Sequence, residues 1–444
     1  MPIGAMRSTN DGGIVRGLLG GGWISNGWIT GRRLRAHGMI LALCLWSVYG
    51  WIIATPGLRD RNGNLKGTDF SHLYTLGSVA LAHHSSDSAV ELYDADAQAK
   101  LMASRIPGAA GIAYIPMYPP QVSIFFAPLA MLPYGAALIL WLVISGLVYG
   151  LCCYAVWSAC PHLRNDRWIV LLLAVAFPGF FHLIVWGQTS AMALACFTAA
   201  FFFLRAEKPF LAGLALGCLI FKPQLGIAAA FLFIYTRAWR VIAGGLLSST
   251  AQLAVPAIYY GAESLRSWVR VMRSVANNVA VLEPRPYQTH NLRIFWTMLI
   301  PSHTISFALY VVSALVMLAL AAAVWARRPG LPLGLCYSAL LLASVLMAPH
   351  LVVYDLVILA PVFLLVADWI IARAAIAQPG SSASLMKVIL YLAYLAPLVS
   401  GPISRWTHLQ ISVVVMSVLV YLIWRPSDGR SSSLISSLRS TLID

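Results

Sequence analysis

The chain has 444 residues, of which 60% are hydrophobic and only 10% charged, and its mean hydropathy is +0.78. A soluble domain carries roughly 25% charged residues, so the composition excludes a soluble globular protein and points to one embedded in a membrane. The net charge of +15 invites a nucleic-acid reading, but the lysines and arginines sit in short loops between apolar runs. That is the positive-inside distribution rather than a basic stripe, so no nucleic-acid partner is expected.

Residues 1–36 are Gly-rich and basic and read as a cytoplasmic tail. The first apolar run, Met39–Thr55, follows Arg32, Arg33 and Arg35 and reads as a signal anchor rather than a removed leader. About 20 apolar residues cross a bilayer, so this run is long enough to span. Loop 57–120 comes next, with helices expected at Ser71–His83 and Ala95–Ser104, and ends in Tyr118-Pro119-Pro120. Val122–Met131 is too short to cross and reads as a re-entrant or interfacial helix.

Further spans are expected at Tyr134–Trp157, Trp168–Val185, Gln188–Leu204, Trp239–Tyr260, His303–Trp325, Leu331–Ala348, Val352–Ile371, Met386–Ser400 and Thr407–Trp424. Between them, Phe210–Phe221 and Leu225–Thr236 are halves of 12 residues each, split by Lys222-Pro223-Gln224. Each half is about 18 Å of helix, so neither crosses alone. The expectation is an all-α polytopic bundle of ten to twelve transmembrane helices with a helical first outer loop. Its membrane domain is residues 37–425, and a second cytoplasmic tail follows at 426–444. No repeat or inverted half-repeat is visible. With the N-terminus inside, Arg164, Arg167, Arg205, Lys208, Arg237, Arg240, Arg327, Arg328, Arg373 and Arg425 all face the cytoplasm. Loops 57–120 and 261–302 and the turns at Gln188, His350 and Arg405 then share the opposite face.

All seven cysteines lie in or beside apolar runs without metal-ligand spacing, and read as small membrane residues. The chain has only 15 acidic residues, and six of them (Asp60, Asp69, Asp87, Glu91, Asp94, Asp96) fall in loop 57–120. Asp69 is singled out within Thr68-Asp69-Phe70. It is either a helix cap or a general base for an acceptor hydroxyl. His72 shares its helix face; a metal site with His83 and His84 is the less favoured use, and no cofactor is expected. Lys222 is either snorkelling to a headgroup or set in a cavity as the partner of a phosphate, with Gln224 adding a polar group. His350 follows Pro349 at the membrane face of Asp69. His182, Trp186 and Gln188 cluster at the outer end of one span. Loop 261–302 offers Asn277, Asn278, His290, Asn291 and Arg293. Asp368, near the inner interface, reads as structural.

The order of these features resembles glycosyltransferase family 87, across about residues 39–370. The resemblance is carried by Thr68-Asp69-Phe70 with Tyr74, then Leu92-Tyr93-Asp94, Tyr118-Pro119-Pro120, Ala127-Pro128-Leu129 with Leu132-Pro133 and Trp141. Trp186-Gly187-Gln188, Gly213 and Gly217 before Lys222-Pro223-Gln224-Leu225-Gly226, and Pro349-His350 with Tyr354-Asp355 complete it. The family implies a GT-C-type helical bundle with its catalytic carboxylate in the first outer loop, here Asp69, and an active-site histidine, here His350. It implies transfer of a sugar from a polyprenyl-phosphate donor, without fixing mannose rather than arabinose or another sugar. The expected reaction moves a hexose or pentose, mannose foremost, to a lipid or glycan acceptor at the outer face of the plasma membrane. The donor and substrate contacts expected with it are Lys222, Gln224, Gln188, Tyr118, Arg293 and His72. The alternative from another class is a lipid or sugar transporter working through Asp355, Asp368 and Lys222, which requires paired broken helices.

Overall fold

The computed structural model describes residues 29–82, 91–276, 283, 285–376 and 381–425. Over these residues the regular structure is helical, and the only β pairings are isolated bridges at Arg59–Leu65 and Thr289–Val352. Helix α1 (Gly31–Ile53) begins inside the stretch expected to be tail, where the Thr30 hydroxyl accepts the Arg33 amide as an N-cap. Its Met39, Ile40, Leu43, Val48 and Trp51 are exposed, which suits a helix bathed in lipid rather than one seeking a protein partner.

Among the described residues of the first loop, α2 (Thr68–Leu81), α3 (Ala95–Arg105) and α4 (Gln121–Ala130) form a packed subdomain. Asp94 caps α3 by accepting the Asp96 and Ala97 amides. Phe70, Leu73, Leu76, Leu92, Met102 and Phe126 bury one another there, together with Trp141 of α5 (Tyr134–Ser158). The side chain that leads α2 into its site is therefore mounted on a rigid platform.

The expected span at 168–185 is instead broken. Pro178 has no amide to continue the ladder, so α6 (Arg167–Val175) and α7 (Pro178–Trp186) meet at a 43° bend. Beyond it lie α8 (Ser190–Arg205) and α9 (Pro209–Gly217), followed by two 3-10 turns, Cys218–Phe221 and Pro223–Gly226, and then α10 (Ile227–Tyr235). This is the split expected at Lys222. Helix α9 packs against α11 (Trp239–Tyr260) so closely that a methyl at Gly213 would lie 2.0 Å from the Val241 carbonyl oxygen. Such backbone contact is how helices associate where lipid removes the hydrophobic drive.

The rest of the chain comprises α12 (Glu263–Ala276), α13 (Leu292–Leu299), α14 (His303–Ala326) and α15 (Leu333–Met347). A 3-10 turn, Val353–Leu359, then runs into α16 (Ala360–Ile376), and α17 (Ser381–Thr407) and α18 (Ile411–Trp424) close the bundle. Six of the described helical segments are long and apolar enough to cross a membrane, and the bent α6–α7 pair makes a seventh. Helices α8, α15 and α18 have 16, 15 and 14 residues, shorter than the runs expected for them. Counting these three brings the crossings to ten, and the split α9–α10 pair to eleven, within the expected ten to twelve. The molecule is an all-α, polytopic membrane protein.

Candidate active site

Asp69 is the second residue of α2 and does not cap it. The cap is Gly67, in the left-handed region at φ +66°, with no side-chain cap bond to the helix. A methyl there would strain the left-handed backbone and have to push the Leu138 side chain aside, which favours glycine. Of the two readings of Asp69, the capping one falls. What holds Asp69 comes from the end of α7. Gly187, left-handed at φ +69°, stops that helix and turns Gln188 toward Asp69, 119 positions earlier in the chain.

The Gln188 amide is fully used. Its Nε2 donates to Asp69 Oδ2 at 2.8 Å and to the Tyr354 hydroxyl at 3.2 Å. Its Oε1 accepts from the Tyr118 hydroxyl and from the Thr189 backbone amide, both at 3.0 Å. Because a backbone N–H can only donate, the amide has one orientation, with its NH2 toward the carboxylate. Asp69 is half-buried, and the low-dielectric surroundings push its carboxyl up to about 6. The Gln188 hydrogen bond and the Lys222 charge pull the other way without cancelling the effect.

Lys222, from the break between α9 and α10, neither snorkels nor stands alone. Its Nζ lies 2.6 Å from Asp355 Oδ1 and 3.1 Å from Ser190 Oγ, and 5.1 Å from the Tyr354 ring centroid. The Lys222 and Asp355 side chains are 6% and 2% exposed. Ser190 Oγ also donates to Asp355 Oδ1 at 2.5 Å, and Asp355 Oδ2 accepts the Val352 amide at 3.3 Å. A buried ion pair survives only with such additional hydrogen bonds. The broken backbone thus lines a polar site, as broken helices at membrane depth must.

His350, in the turn between α15 and the Val353–Leu359 helix, places Nδ1 2.6 Å from Glu283 Oε1. It is electrostatically coupled to both Asp355 and Lys222, which puts it at the same end of the bundle as Asp69. The site accordingly gathers Asp69, Gln188, Tyr118, Tyr354, Lys222, Asp355, Ser190, His350 and Glu283.

Other expected residues fare differently. Tyr118 enters the site through Gln188. His72 is buried, stacked on Tyr114 at 5.0 Å between centroids, with its Nε2 unpartnered. Burial lowers its pKa to about 4, so it is neutral at pH 7. Its suggested metal partners His83 and His84 lie outside the described residues, as do Asn277 and Asn278. Gln224 is half-buried, one residue past Pro223. Arg293 donates to the Ala276 carbonyl at 3.2 Å, a backbone partner rather than a member of the cluster. Asp368 accepts the His162 amide at 2.8 Å, tying α16 to the turn before α6, a structural use.

Sequence reasoning missed Glu283, Ser190 and the pairing of Asp355. Glu283 left a weak signal: it is one of two acids in the otherwise basic loop 261–302, the other being Glu263.

The fold and site together define a multi-pass helical membrane protein whose first loop delivers a carboxylate to a buried cluster of charges at one end of the bundle. The profile of glycosyltransferase family 87 matches residues 117–351, just over half of the chain. The chain belongs to that family, and is a membrane glycosyltransferase. The matched segment contains Tyr118, Gln188, Lys222, Gln224, Glu283, Arg293 and His350. Asp69, Tyr354 and Asp355 lie outside it and join its residues through the contacts above. Comparison with curated proteins and with solved structures returns no match.

Proposed function

We propose that the enzyme transfers a hexose or pentose, mannose foremost, from a polyprenyl-phosphate sugar to a lipid or glycan acceptor at the outer face of the plasma membrane, with inversion. Both termini are cytoplasmic in this reading. Asp69 is the general base. It takes the proton of the acceptor hydroxyl as that oxygen bonds to the anomeric carbon. The bond from that carbon to the phosphate oxygen breaks, and its electron pair stays on the departing polyprenyl phosphate. A phosphodiester-type leaving group is already anionic, so it needs charge stabilisation more than a proton. Lys222 and His350 lie on hand for that task, and Gln188, with Tyr118 behind it, holds the base in place. Gln224 is the further donor contact.

The observation that carries this reading is the state of Asp69. It is a half-buried carboxylate pushed up to about 6, within the electrostatic reach of Lys222 and outside every candidate span. A base works best when its pKa lies near the operating pH. The proposed transporter has the broken helices it requires at 167–186 and 209–235. Membership of a glycosyltransferase family gives those breaks another use, as walls of a reaction site.

The test is transfer by purified protein in nanodiscs, offered polyprenyl-phosphate mannose, polyprenyl-phosphate arabinose and a nucleotide sugar in turn. Turnover with a lipid phosphate sugar alone is expected. Turnover with the nucleotide sugar alone overturns the donor class, and a preference for arabinose overturns mannose. The glycolipid profile of a deletion strain then names the missing product.

A further inference from the structure

Loop 261–302 was expected to contribute Arg293, yet the side chain it sends into the site is Glu283. This carboxylate is 4% exposed, an expensive position unless its oxygens are paired. Both are. Oε1 faces His350 Nδ1 at 2.6 Å, and Oε2 accepts from the Thr289 hydroxyl at 2.9 Å.

The loop is held there by its own set of bonds. Thr289 pairs with Val352 in an antiparallel bridge, and the His290 amide donates to the Leu351 carbonyl at 3.1 Å. Gln410, before α18, donates from Nε2 to the carbonyls of Thr289 at 2.6 Å and Tyr287 at 2.9 Å. The His290 ring is itself fixed, its Nδ1 lying 2.7 Å from Ser412 Oγ. A carboxylate 67 positions away in the chain is thereby pressed onto the turn that carries His350. The imidazole is 21% exposed, so the ring is clamped at Nδ1 without being sealed in.

We propose that Glu283 is a positioning residue: it fixes the His350 ring through Nδ1 and holds it as an imidazolium, so that Nε2–H is presented to the departing phosphate. The inference rests on the phosphate-leaving reading above. In the step itself the carbon–oxygen bond breaks onto the phosphate oxygen and Nε2–H donates a hydrogen bond to it, with no proton transferred. The charges around the ring support the imidazolium. Burial opposes the charged form, but Glu283 at contact and Asp355 behind it outweigh burial and the opposing Lys222 charge, and the pKa ends above the ordinary 6.5. A donor that is charged before the bond breaks needs no rearrangement as negative charge develops.

The experiment uses the full-length protein in nanodiscs and has two arms. In the first, needing no sugar donor, His350 is modified with diethyl pyrocarbonate across a pH series and read by peptide mass spectrometry, since only the neutral imidazole reacts. Wild type should become reactive only above pH about 6.5, the ordinary midpoint for histidine, and Glu283→Gln should react at clearly lower pH. In the second, transfer by Glu283→Gln should fall roughly 10²-fold in kcat, the low end for losing one charge-stabilising donor. The high-pH limb of its rate profile should move down with the first arm, and Glu283→Asp should restore both in part.

Identical His350 titration in wild type and Glu283→Gln overturns the proposal. So does a wild-type midpoint at or below the ordinary one, even if Glu283→Gln cannot be purified. A shifted titration together with no transfer from any polyprenyl-phosphate sugar upholds the dyad and refutes the donor reading instead.

Discussion

Replacing Asp69 with Asn separates chemistry from structure cleanly. The substitution preserves size, and Asn still accepts the hydrogen bond from Gln188 Nε2 now made at 2.8 Å. It cannot take up a proton at neutral pH. Removing a positioned base costs roughly 10²–10⁴ in rate, or about 3–5 kcal/mol of transition-state stabilisation. The folding effect runs the other way. The folded carboxyl titrates near 6 against an ordinary 3.8, so its contribution to stability is fully present below about pH 4 and is lost as pH rises through about 6. At pH 8 the ionised group burdens the fold by up to about 3 kcal/mol, less what water recovers at its open edge. Asp69→Asn should therefore unfold no more easily than wild type at pH 8 and show no advantage at pH 4. Its transfer from a radiolabelled polyprenyl-phosphate sugar should drop by at least roughly 10²-fold. The wild-type rate should fall as pH drops below about 6 and Asp69 takes up its proton. A well-folded Asp69→Asn protein that turns over near the wild-type rate refutes the assignment. Capping cannot account for a large loss, because Gly67 is the N-cap and Asp69 makes no cap bond.

The other substitutions test the frame around that base. Lys222→Met leaves Asp355 buried without its cation, which should cost about 3–5 kcal/mol; adding Asp355→Leu should restore purification yield and melting temperature but not turnover, and restored turnover would reduce the pair to a structural one. Gly67→Ala forces a side chain into a left-handed backbone and against Leu138, so a loss of about 1–3 kcal/mol is expected in thermal unfolding; an unchanged melting temperature would contradict the packing described for the start of α2. Cysteines introduced at Asn62 and Glu207 should label from opposite sides of the membrane in intact cells, and labelling from one side only would overturn the proposed topology.

Much of this architecture was legible because hydropathy is additive along a chain. The apolar runs marked the spans, and Lys222-Pro223-Gln224 marked a break that the structure contains. The break at Pro178 went unread because its flanks are as apolar as an unbroken span, and only the missing amide distinguishes them. Asp69 stood out for a different reason: acids are scarce here, so their clustering in one loop carries information. Pairing is what a linear reading cannot supply. Asp355 lies 133 positions from Lys222, and no local pattern announces that two charges so far apart will meet. Each was therefore weighed alone, one as a snorkelling cation or phosphate ligand and the other as a transporter relay. Arg293 was favoured in loop 261–302 because it is a cation, whereas the fold turns it to a carbonyl and brings in the neighbouring acid.

The charges of the site make sense only as a set. Asp69, Asp355 and Glu283 face Lys222 and His350, three potential anions against two potential cations. Full ionisation would leave a net negative pocket, a poor host for an anionic lipid phosphate. The fold relieves this unevenly. Asp355 is locked to Lys222 and Glu283 to His350, each pair at 2.6 Å, while Asp69 has the Gln188 amide on its Oδ2, the Tyr354 hydroxyl and a cation it does not pair with directly. Asp69, pushed up to about 6 by burial, is thus a carboxylate able to exchange a proton near neutral pH. The two ion pairs do not supply the reacting group. In the proposed reaction they would hold cations for the donor phosphate, and they leave one carboxylate under-compensated, which is the condition a general base requires.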